Sequence, residues 1–238
     1  LLDAKPLRFR CFVKLKGGNP SAAKTFSPDS KYVAVIEALP EEDLPKSGRA
    51  RIHIVRTSDG KALPQVFNSI AAVHALAWSP TEDVVAIAAH EPPIHLWRPL
   101  TPNASRVFPG HEPKETWAVA FSPDSKILAS AGDDHALRIW DPITGKHRIQ
   151  HEGHTSLVSC LAYAPNGKWI ATGSYDKSVR LCDAGKPTRE FHRFHHVDDL
   201  RCVAFSHDSK LLASGGRDKV VRLWNPVTGK DAGILAGH

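Results

Sequence analysis

Short apolar or alternating runs, separated by turn-forming residues, recur along the chain without a helical periodicity. The stretch 203–230 shows the pattern most fully: 203–206 and 211–214 are mainly apolar, and 220–224 alternates apolar with charged residues. Alternation with a period of two is typical of a half-buried strand. The Gly-Gly-Arg-Asp sequence at 215–218 has the composition of a tight turn. This stretch therefore predicts three strands connected by short turns.

Similar sequences occur at 119–146 and 161–186, and two weaker copies lie nearer the N-terminus. Two markers keep a step of 42 residues between the three strong copies, one ending the first strand and one ending the third. They are Phe121, Tyr163 and Phe205, and Trp140, Cys182 and Trp224. A period near 42 with strands and no helix pattern is typical of β-propeller blades. The sequence predicts an all-β fold with five blades, at about 22–66, 72–109, 114–152, 157–194 and 199–238.

Several segments lie outside the three-strand core of each repeat. A fourth, outer strand is predicted at 146–150, 188–191 and 232–235 in the last three repeats. The segment 8–15 alternates like a further strand ahead of the first repeat. The segment 39–48, with three acids and two prolines, replaces a short turn and predicts an exposed loop. That loop is interpreted as a tolerated insertion, with contact to a partner as the alternative.

Composition agrees with one globular domain. The chain has 238 residues, of which 42% are hydrophobic and 24% are charged, as in ordinary soluble proteins. No apolar run approaches the roughly 20 residues that span a bilayer, so no membrane association is expected. The cysteines, Cys11, Cys160, Cys182 and Cys202, show no C-x-x-C spacing, so we expect free thiols and a reducing compartment, the cytoplasm.

The net charge of +6 allows nucleic acid binding, but the distribution of the charge does not favour it. Lysines and arginines are spread through the repeats, often at turns such as Lys126, Lys168 and Lys210. We interpret the basic residues as a solvated surface.

One cluster contains the residue types that bind zinc or a related ion. It comprises His192, His195, His196, Asp198 and Asp199. The cluster falls on a predicted inter-strand loop, and a solvated loop is the preferred interpretation. No metal site and no cofactor are predicted. The chain also lacks G-x-S-x-G, a phosphate-binding glycine loop and H-E-x-x-H, so no enzyme activity is predicted.

The repeats resemble the WD-repeat β-propeller family. Each strong copy has the order Gly-His, Ser-Pro-Asp-x-Lys, Ser-x-Gly-x-Asp and Trp-Asp, with local departures. Gly-His occurs at 110–111, 153–154 and 237–238. Trp-Asp occurs at 140–141, as Cys-Asp at 182–183 and as Trp-Asn at 224–225. The resemblance covers about 26–238, is strongest from 110 onward, and implies a ring of four-stranded antiparallel sheets around a central channel.

The resemblance also implies a hydrogen-bonded network in each regular blade. Its members would be His111, Ser130, Asp134 and Trp140 in the third blade, and His196, Ser214, Asp218 and Trp224 in the fifth. The fourth blade offers His154, Thr172 and Asp176, but Cys182 has no indole N–H. Tryptophan only donates and a carboxylate only accepts, so the order Trp→Ser→His→Asp satisfies every group. These residues are therefore expected to be structural, whereas a hydrolase triad needs an exposed nucleophile beside an oxyanion hole.

In this family, partner contacts commonly use three positions per blade on the top face. They map to His74, His90, Glu115, Trp117, Asp133, Leu157, Ser159, Tyr175, Asp199, Arg201 and Arg217. Trp, Tyr and Arg are enriched at binding hot spots. An exposed Trp117 beside Tyr175 and Arg217 is the predicted anchor set. The alternative is that Trp117 packs between blades.

The predicted function is a non-catalytic scaffold that binds a protein or peptide on this face. One alternative is a sensor or targeting module of a larger kinase- or protease-linked protein, because the regular Ser-Pro-Asp-Ser-Lys repeats look bacterial. Another is a metal- or nucleic-acid-binding propeller. In the family a strand such as 8–15 completes the last blade, so we expect truncation at the C-terminus. A ring of six or seven blades would then draw the rest from the same polypeptide or a second chain. A closed five-bladed ring is the alternative.

Overall fold

The chain forms five four-stranded antiparallel sheets in a computed structural model that describes residues 20–38, 50–101 and 105–236. The described residues contain no helix, and so none that could cross a membrane. The predicted all-β fold with five blades is confirmed. The predicted strand at 8–15, the loop at 39–48, Cys11 and the last Gly-His pair lie outside the described residues.

Each blade is a meander in which the four strands follow one another in sequence. Blade one comprises β1 (Pro20–Phe26), β2 (Tyr32–Ala38), β3 (Ala50–Arg56) and β4 (Ala62–Ser69). Blade two comprises β5 (Val73–Trp78), β6 (Val85–Ala89), β7 (Ile94–Trp97) and β8 (Arg106–Phe108). Blade three comprises β9 (Thr116–Phe121), β10 (Leu128–Gly132), β11 (Ala136–Trp140) and β12 (His147–Glu152). Blade four comprises β13 (Val158–Tyr163), β14 (Trp169–Ser174), β15 (Ser178–Asp183) and β16 (Lys186–His195). Blade five comprises β17 (Leu200–Phe205), β18 (Leu212–Gly216), β19 (Val220–Trp224) and β20 (Asp231–Ala236).

The apolar core lies between neighbouring blades. Strand β6 shows why: Val85 and Ile87 pack in the cluster shared with blade one, whereas Ala86 and Ala88 pack in the cluster shared with blade three. Because side chains alternate along a strand, a sheet buried on both faces needs apolar residues at successive positions. Similar clusters join blade three to blade four and blade four to blade five.

Blade five differs from blade four on the face that, in blade four, packs against the next blade. Ala171, Val179 and Leu181 of blade four are fully buried. The corresponding residues of blade five, 42 positions later, are only partly buried, and no core cluster of the described residues covers them. They are Ala213, Val221 and Leu223. The incomplete ring expected from the sequence stays a prediction.

The turn between the first and second strands carries a buried serine in two blades. Ser125 and Ser209 both have φ 58°, a left-handed conformation that is uncommon for residues other than glycine. Ser79 Oγ in blade two lies 2.8 Å from Ser125 Oγ, and the Asn166 N–H in blade four donates to Ser209 Oγ at 3.1 Å. Each serine therefore links its blade to the preceding one. Blade four has Gly167 at this position, with φ 71°.

Candidate functional site

A chain of four side chains runs through the interior of blade three. The indole N–H of Trp140 donates to Ser130 Oγ at 2.7 Å. Ser130 Oγ lies 2.8 Å from His111 Nε2, and His111 Nδ1 lies 2.6 Å from Asp134 Oδ1. Because the indole can only donate, the serine hydroxyl donates onward to Nε2 and the Nδ1–H donates to the carboxylate. The four groups are therefore bonded in the order Trp→Ser→His→Asp.

Blade five repeats this arrangement. Trp224 Nε1 lies 2.7 Å from Ser214 Oγ, which lies 2.8 Å from His196 Nε2. His196 Nδ1 lies 2.8 Å from Asp218 Oδ2. The histidine, serine and tryptophan of this chain are buried, which is the condition under which satisfied hydrogen bonds matter most.

Blade four keeps the hydrogen bonds of the histidine to a hydroxyl and to an aspartate, but it has no tryptophan to donate to the hydroxyl. His154 bonds Thr172 Oγ1 at 2.9 Å and Asp176 Oδ2 at 2.8 Å. Cys182 takes the tryptophan position and is buried, and burial raises the pKa of its thiol to about 12. Ser178 adds a hydroxyl that donates to the Asp176 carboxylate at 2.6 Å.

The electrostatics of these chains favour a static role. Burial lowers the pKa of His111, an effect that outweighs the hydrogen bond to Asp134, so the imidazole is neutral at neutral pH. Burial also acts to raise the pKa of Asp134, but the hydrogen bonds from His111 and from the Ala136 N–H make the net shift downward. Ser130 is fully buried, and its hydroxyl is already occupied on both sides. No water or substrate can reach it without opening the blade.

A β-bulge interrupts the first strand of four successive blades. In blade three, Thr116 pairs with Gly132 and Ala118 pairs with Ala131, which leaves Trp117 unpaired between them. The same shift leaves one residue unpaired in blades two, four and five. The four bulge residues are His74, Trp117, Ser159 and Arg201. Bulges bend a strand and re-aim a side chain, and they are frequent beside functional sites.

The turn between the second and third strands lies at the same end of each blade as the bulge. Its backbone N–H donates to the carbonyl at the start of the first strand: Asp133 to Glu115 at 3.0 Å, and Tyr175 to Leu157 at 3.0 Å. Blade five repeats this bond from Arg217 to Asp199 at 2.9 Å, and His90 bonds Ala72 at 2.8 Å in blade two. We call this set of residues the rim. It comprises His74, His90, Glu115, Trp117, Asp133, Leu157, Ser159, Tyr175, Asp199, Arg201 and Arg217.

Contacts along the rim connect neighbouring blades. The Arg201 guanidinium lies 4.5 Å from the centre of the Tyr175 ring, and Arg217 Nη1 lies 3.3 Å from Asp199 Oδ2. Ser159 Oγ donates to the Leu200 carbonyl at 2.7 Å. The rim is therefore a continuous surface across blades four and five.

The side chains of the predicted anchor set are arranged differently from the expectation, and their contact with a partner stays a prediction. Trp117 is half-buried and stacks on His74 of blade two, with 4.1 Å between ring centres, and its buried indole N–H has no partner among the described residues. Tyr175 is contacted by Arg201 rather than by Arg217. Alignment of the repeats gave the positions but not the direction in which long side chains extend.

The histidine-rich segment at the end of blade four does not form one cluster. His196 bonds Asp218 and Ser214, whereas His192 Nε2 lies 3.3 Å from the Val227 carbonyl oxygen. His195 ends β16 and is exposed. Strand β16 extends beyond the predicted 188–191 to His195, and Phe194 near its end stacks on Trp224 with 4.5 Å between ring centres.

A comparison with family models matches the chain to "WD domain, G-beta repeat" at residues 103–141, 145–183 and 185–225. These three segments together cover half of the chain. A comparison with curated proteins found no match. The matched segments contain the three hydrogen-bonded chains described above, and the two more divergent blades precede them.

Proposed function

The chain belongs to the WD-repeat family, and from that premise we propose that it is a non-catalytic scaffold that binds a protein or peptide at the rim. WD repeats generally mediate interactions between proteins. The proposal concerns where this chain binds and which of its side chains make the contact.

The observation that carries the proposal is the repeated bulge. In blades two to five, the unpaired residue of the first strand differs: His74, Trp117, Ser159 or Arg201. The strands beneath them are held by the buried cores and hydrogen-bonded chains, so the backbone of the rim is rigid. A rigid frame that displays different side chains at equivalent positions suits recognition, because little conformational freedom is lost on binding.

The chemistry of the rim suits a partner with both apolar and charged groups. Tyr175 and Trp117 offer half-buried aromatic surface, and Arg201 and Arg217 are exposed cations. Glu115, Asp133 and Asp199 supply carboxylates between them. Aromatic and arginine side chains in partly desolvated settings are the types that dominate binding energy.

The serine, histidine and aspartate side chains support the non-catalytic part of the proposal. In each chain the hydroxyl is buried and bonded to histidine, and in blades three and five it also accepts from an indole. A nucleophilic serine needs an open path to its substrate and donors for an oxyanion. We also propose a reducing compartment such as the cytoplasm, where free thiols persist. Burial raises the pKa values of Cys160 and Cys182 to about 12, so these thiols are poor nucleophiles.

The test compares two charge-reversed variants of blade five. The rim variant is Arg201→Glu with Arg217→Glu, and the control is Lys210→Glu with Lys230→Glu, exposed positions at the opposite end of the same blade. Partners captured by the wild-type chain are identified, and their dissociation constants are measured by calorimetry. We expect the rim variant to bind at least about 30-fold more weakly, the loss typical of hot-spot residues. The control should bind as the wild type does.

Two results would contradict the proposal. One is unchanged affinity in the rim variant with its fold intact by circular dichroism. The other is an equal loss in the control, which would indicate a general effect of charge rather than contact at the rim.

A further inference from the structure

Three rim side chains from blades two and three converge between the blades. His74 Nε2 lies 3.2 Å from Glu115 Oε2, and His90 Nδ1 lies 2.8 Å from Glu115 Oε1. When one potential ligand atom is taken from each of the three residues, these three atoms lie within 4.8 Å of one another. No other group of three His, Cys, Asp or Glu side chains in the described residues meets this condition.

We propose that His74, His90 and Glu115 form a binding site for a divalent transition-metal ion. Two imidazoles with one carboxylate are a known donor set for zinc and for iron(II), and both leave coordination positions open. Donor atoms bound to one zinc ion at about 2.0–2.2 Å lie roughly 3–3.5 Å apart. The two distances to Glu115 are already close to this spacing.

The backbone holds two of the three ligands in place. His74 is the bulge residue of β5, and its ring is fixed by stacking on Trp117. The Glu115 carbonyl accepts the Asp133 N–H, and a methyl group added at Gly132 would lie 2.3 Å from that carbonyl oxygen. The glycine therefore permits the close approach that fixes Glu115.

The third ligand is free to adjust. The side chain of His90 is 61% exposed, so it can rotate towards the ion without disturbing the core. An open cavity of about 490 Å³, lined by Ile70, Ala71, Ala72, His90 and Glu91, lies beside it. Water or an outside ligand can reach the open coordination positions through this cavity.

The donor types suit metal binding. A neutral imidazole offers a nitrogen lone pair to the ion, so the proton that His74 Nε2 donates to Glu115 Oε2 would move to Nδ1. The carboxylate supplies the negative charge.

The experiment titrates the purified, metal-free chain with Co²⁺ and Zn²⁺ and needs no protein partner, so its outcome is independent of the proposed function. Co²⁺ binding is followed by visible absorption and Zn²⁺ binding by calorimetry. We expect one saturable site. Glu115→Gln and His90→Ala should each weaken binding more than about tenfold, because even loss of outer-shell partners costs about 10–100-fold. The control His207→Ala removes an exposed histidine at the opposite end of blade five and should leave binding unchanged.

A second readout locates the ion. Bound Co²⁺ should quench the fluorescence of Trp117, so the quenching seen in the wild type should be lost in Trp117→Phe. The proposal is overturned if the wild type shows no saturable binding, or if Glu115→Gln and His90→Ala, folded by circular dichroism, bind as tightly as the wild type. In either case the three side chains are a hydrogen-bonded cluster only.

Discussion

Blades three and four use the same histidine, hydroxyl and aspartate but end the hydrogen-bonded chain differently. In blade three the chain ends at Trp140, whose ring stacks on Phe108 of blade two with 6.2 Å between ring centres. In blade four Cys182 replaces the tryptophan, and His151 stands where the preceding blade would supply a phenylalanine. Blade five follows blade three, with Trp224 stacked on Phe194.

The difference shows which part of the chain the blade depends on. All three blades retain the bonds from histidine to the hydroxyl and to the carboxylate. Blade four lacks the aromatic stack and pairs its arginine differently: Arg180 Nη1 lies 2.5 Å from Glu190 Oε2, whereas the equivalent Arg138 of blade three pairs with Asp134. In both blades the arginine also donates to the carbonyl of the glycine before the histidine. Because the inner bonds satisfy buried polar groups, they cannot be dropped without cost, whereas the outer end can be filled in more than one way.

Replacing Trp140 by cysteine puts the residue of blade four in blade three without the Arg180–Glu190 pair that blade four has. Trp140 is 2% exposed, so the change removes buried aromatic area and one hydrogen bond. We expect a loss of about 3–5 kcal/mol in the free energy of unfolding, the range for large-to-small changes at buried tryptophan. Urea unfolding measures it, with Cys182→Ala as the control, which should cost much less. Equal effects of the two changes would contradict the comparison.

Removing the buried hydroxyl should destabilise blade three more than blade four, because the hydroxyl of blade three has two hydrogen-bond partners. Ser130→Ala leaves both the Trp140 indole N–H and His111 Nε2 without a partner, whereas Thr172→Val leaves only His154 Nε2 without one. Each orphaned buried group costs about 1–3 kcal/mol, so we expect Ser130→Ala to cost about 3 kcal/mol and Thr172→Val about half as much. Urea midpoints of both variants test this ratio. A larger loss for Thr172→Val would show that blade four relies on its hydroxyl more than blade three does.

The pH dependence of stability should sharpen the comparison by a smaller effect. Burial lowers the pKa of His111 and His196 below the ordinary value of 6.5. Between the lowered and the ordinary value, the unfolded chain binds more protons than the folded one, so stability falls as the pH decreases from about 7.5 to about 5.5. Urea unfolding at the two pH values should show a smaller pH effect in His111→Gln than in the wild type. An unchanged pH effect would exclude His111 as a contributor.

Aspartates act in a lower pH range. The pKa values of Asp134 and Asp218 are lowered from 3.8, because the hydrogen bonds that they accept outweigh burial. Their contribution to the free energy of unfolding is present above the ordinary pKa and is lost only as the pH falls through the lowered pKa. The histidines and the aspartates therefore affect stability in different pH ranges.

The strands and their repetition were predictable from the sequence because the hydrophobic pattern recurs. The markers at Phe121 and Trp140, with their copies at a step of 42, define three equivalent blades, and the two weaker copies add the other two. The ring arrangement and the members of the hydrogen-bonded network were expectations from the resemblance to the WD-repeat family. The order of the bonds from Trp140 to Asp134 follows from which groups can only donate and which can only accept. These inferences need no knowledge of how blades pack on one another.

The rim was less predictable because its contacts cross between blades. Alignment placed His74 and Trp117 at equivalent positions and Glu115 at another position of the same face, but their rings and carboxylate meet only because blades two and three lie side by side. The bulges that re-aim these residues have no signal in the hydrophobic pattern, since one unpaired residue leaves the period of the strand intact on either side. The stacking of Arg201 on Tyr175 likewise depends on side-chain length and direction.

The buried turn serines make the junctions between blades mechanically unequal. At the end opposite the rim, Ser125 ties blade three to blade two and Ser209 ties blade five to blade four through polar contacts. Gly167 has no side chain to do so, and a methyl group built there would meet nothing within 4 Å. A twisting load would therefore meet a hydroxyl contact at these two junctions and also between blades one and two, where the Trp78 N–H donates to Thr25 Oγ1 at 3.2 Å. At this end, the described residues of blades three and four have no such contact and rely on the packing of apolar side chains.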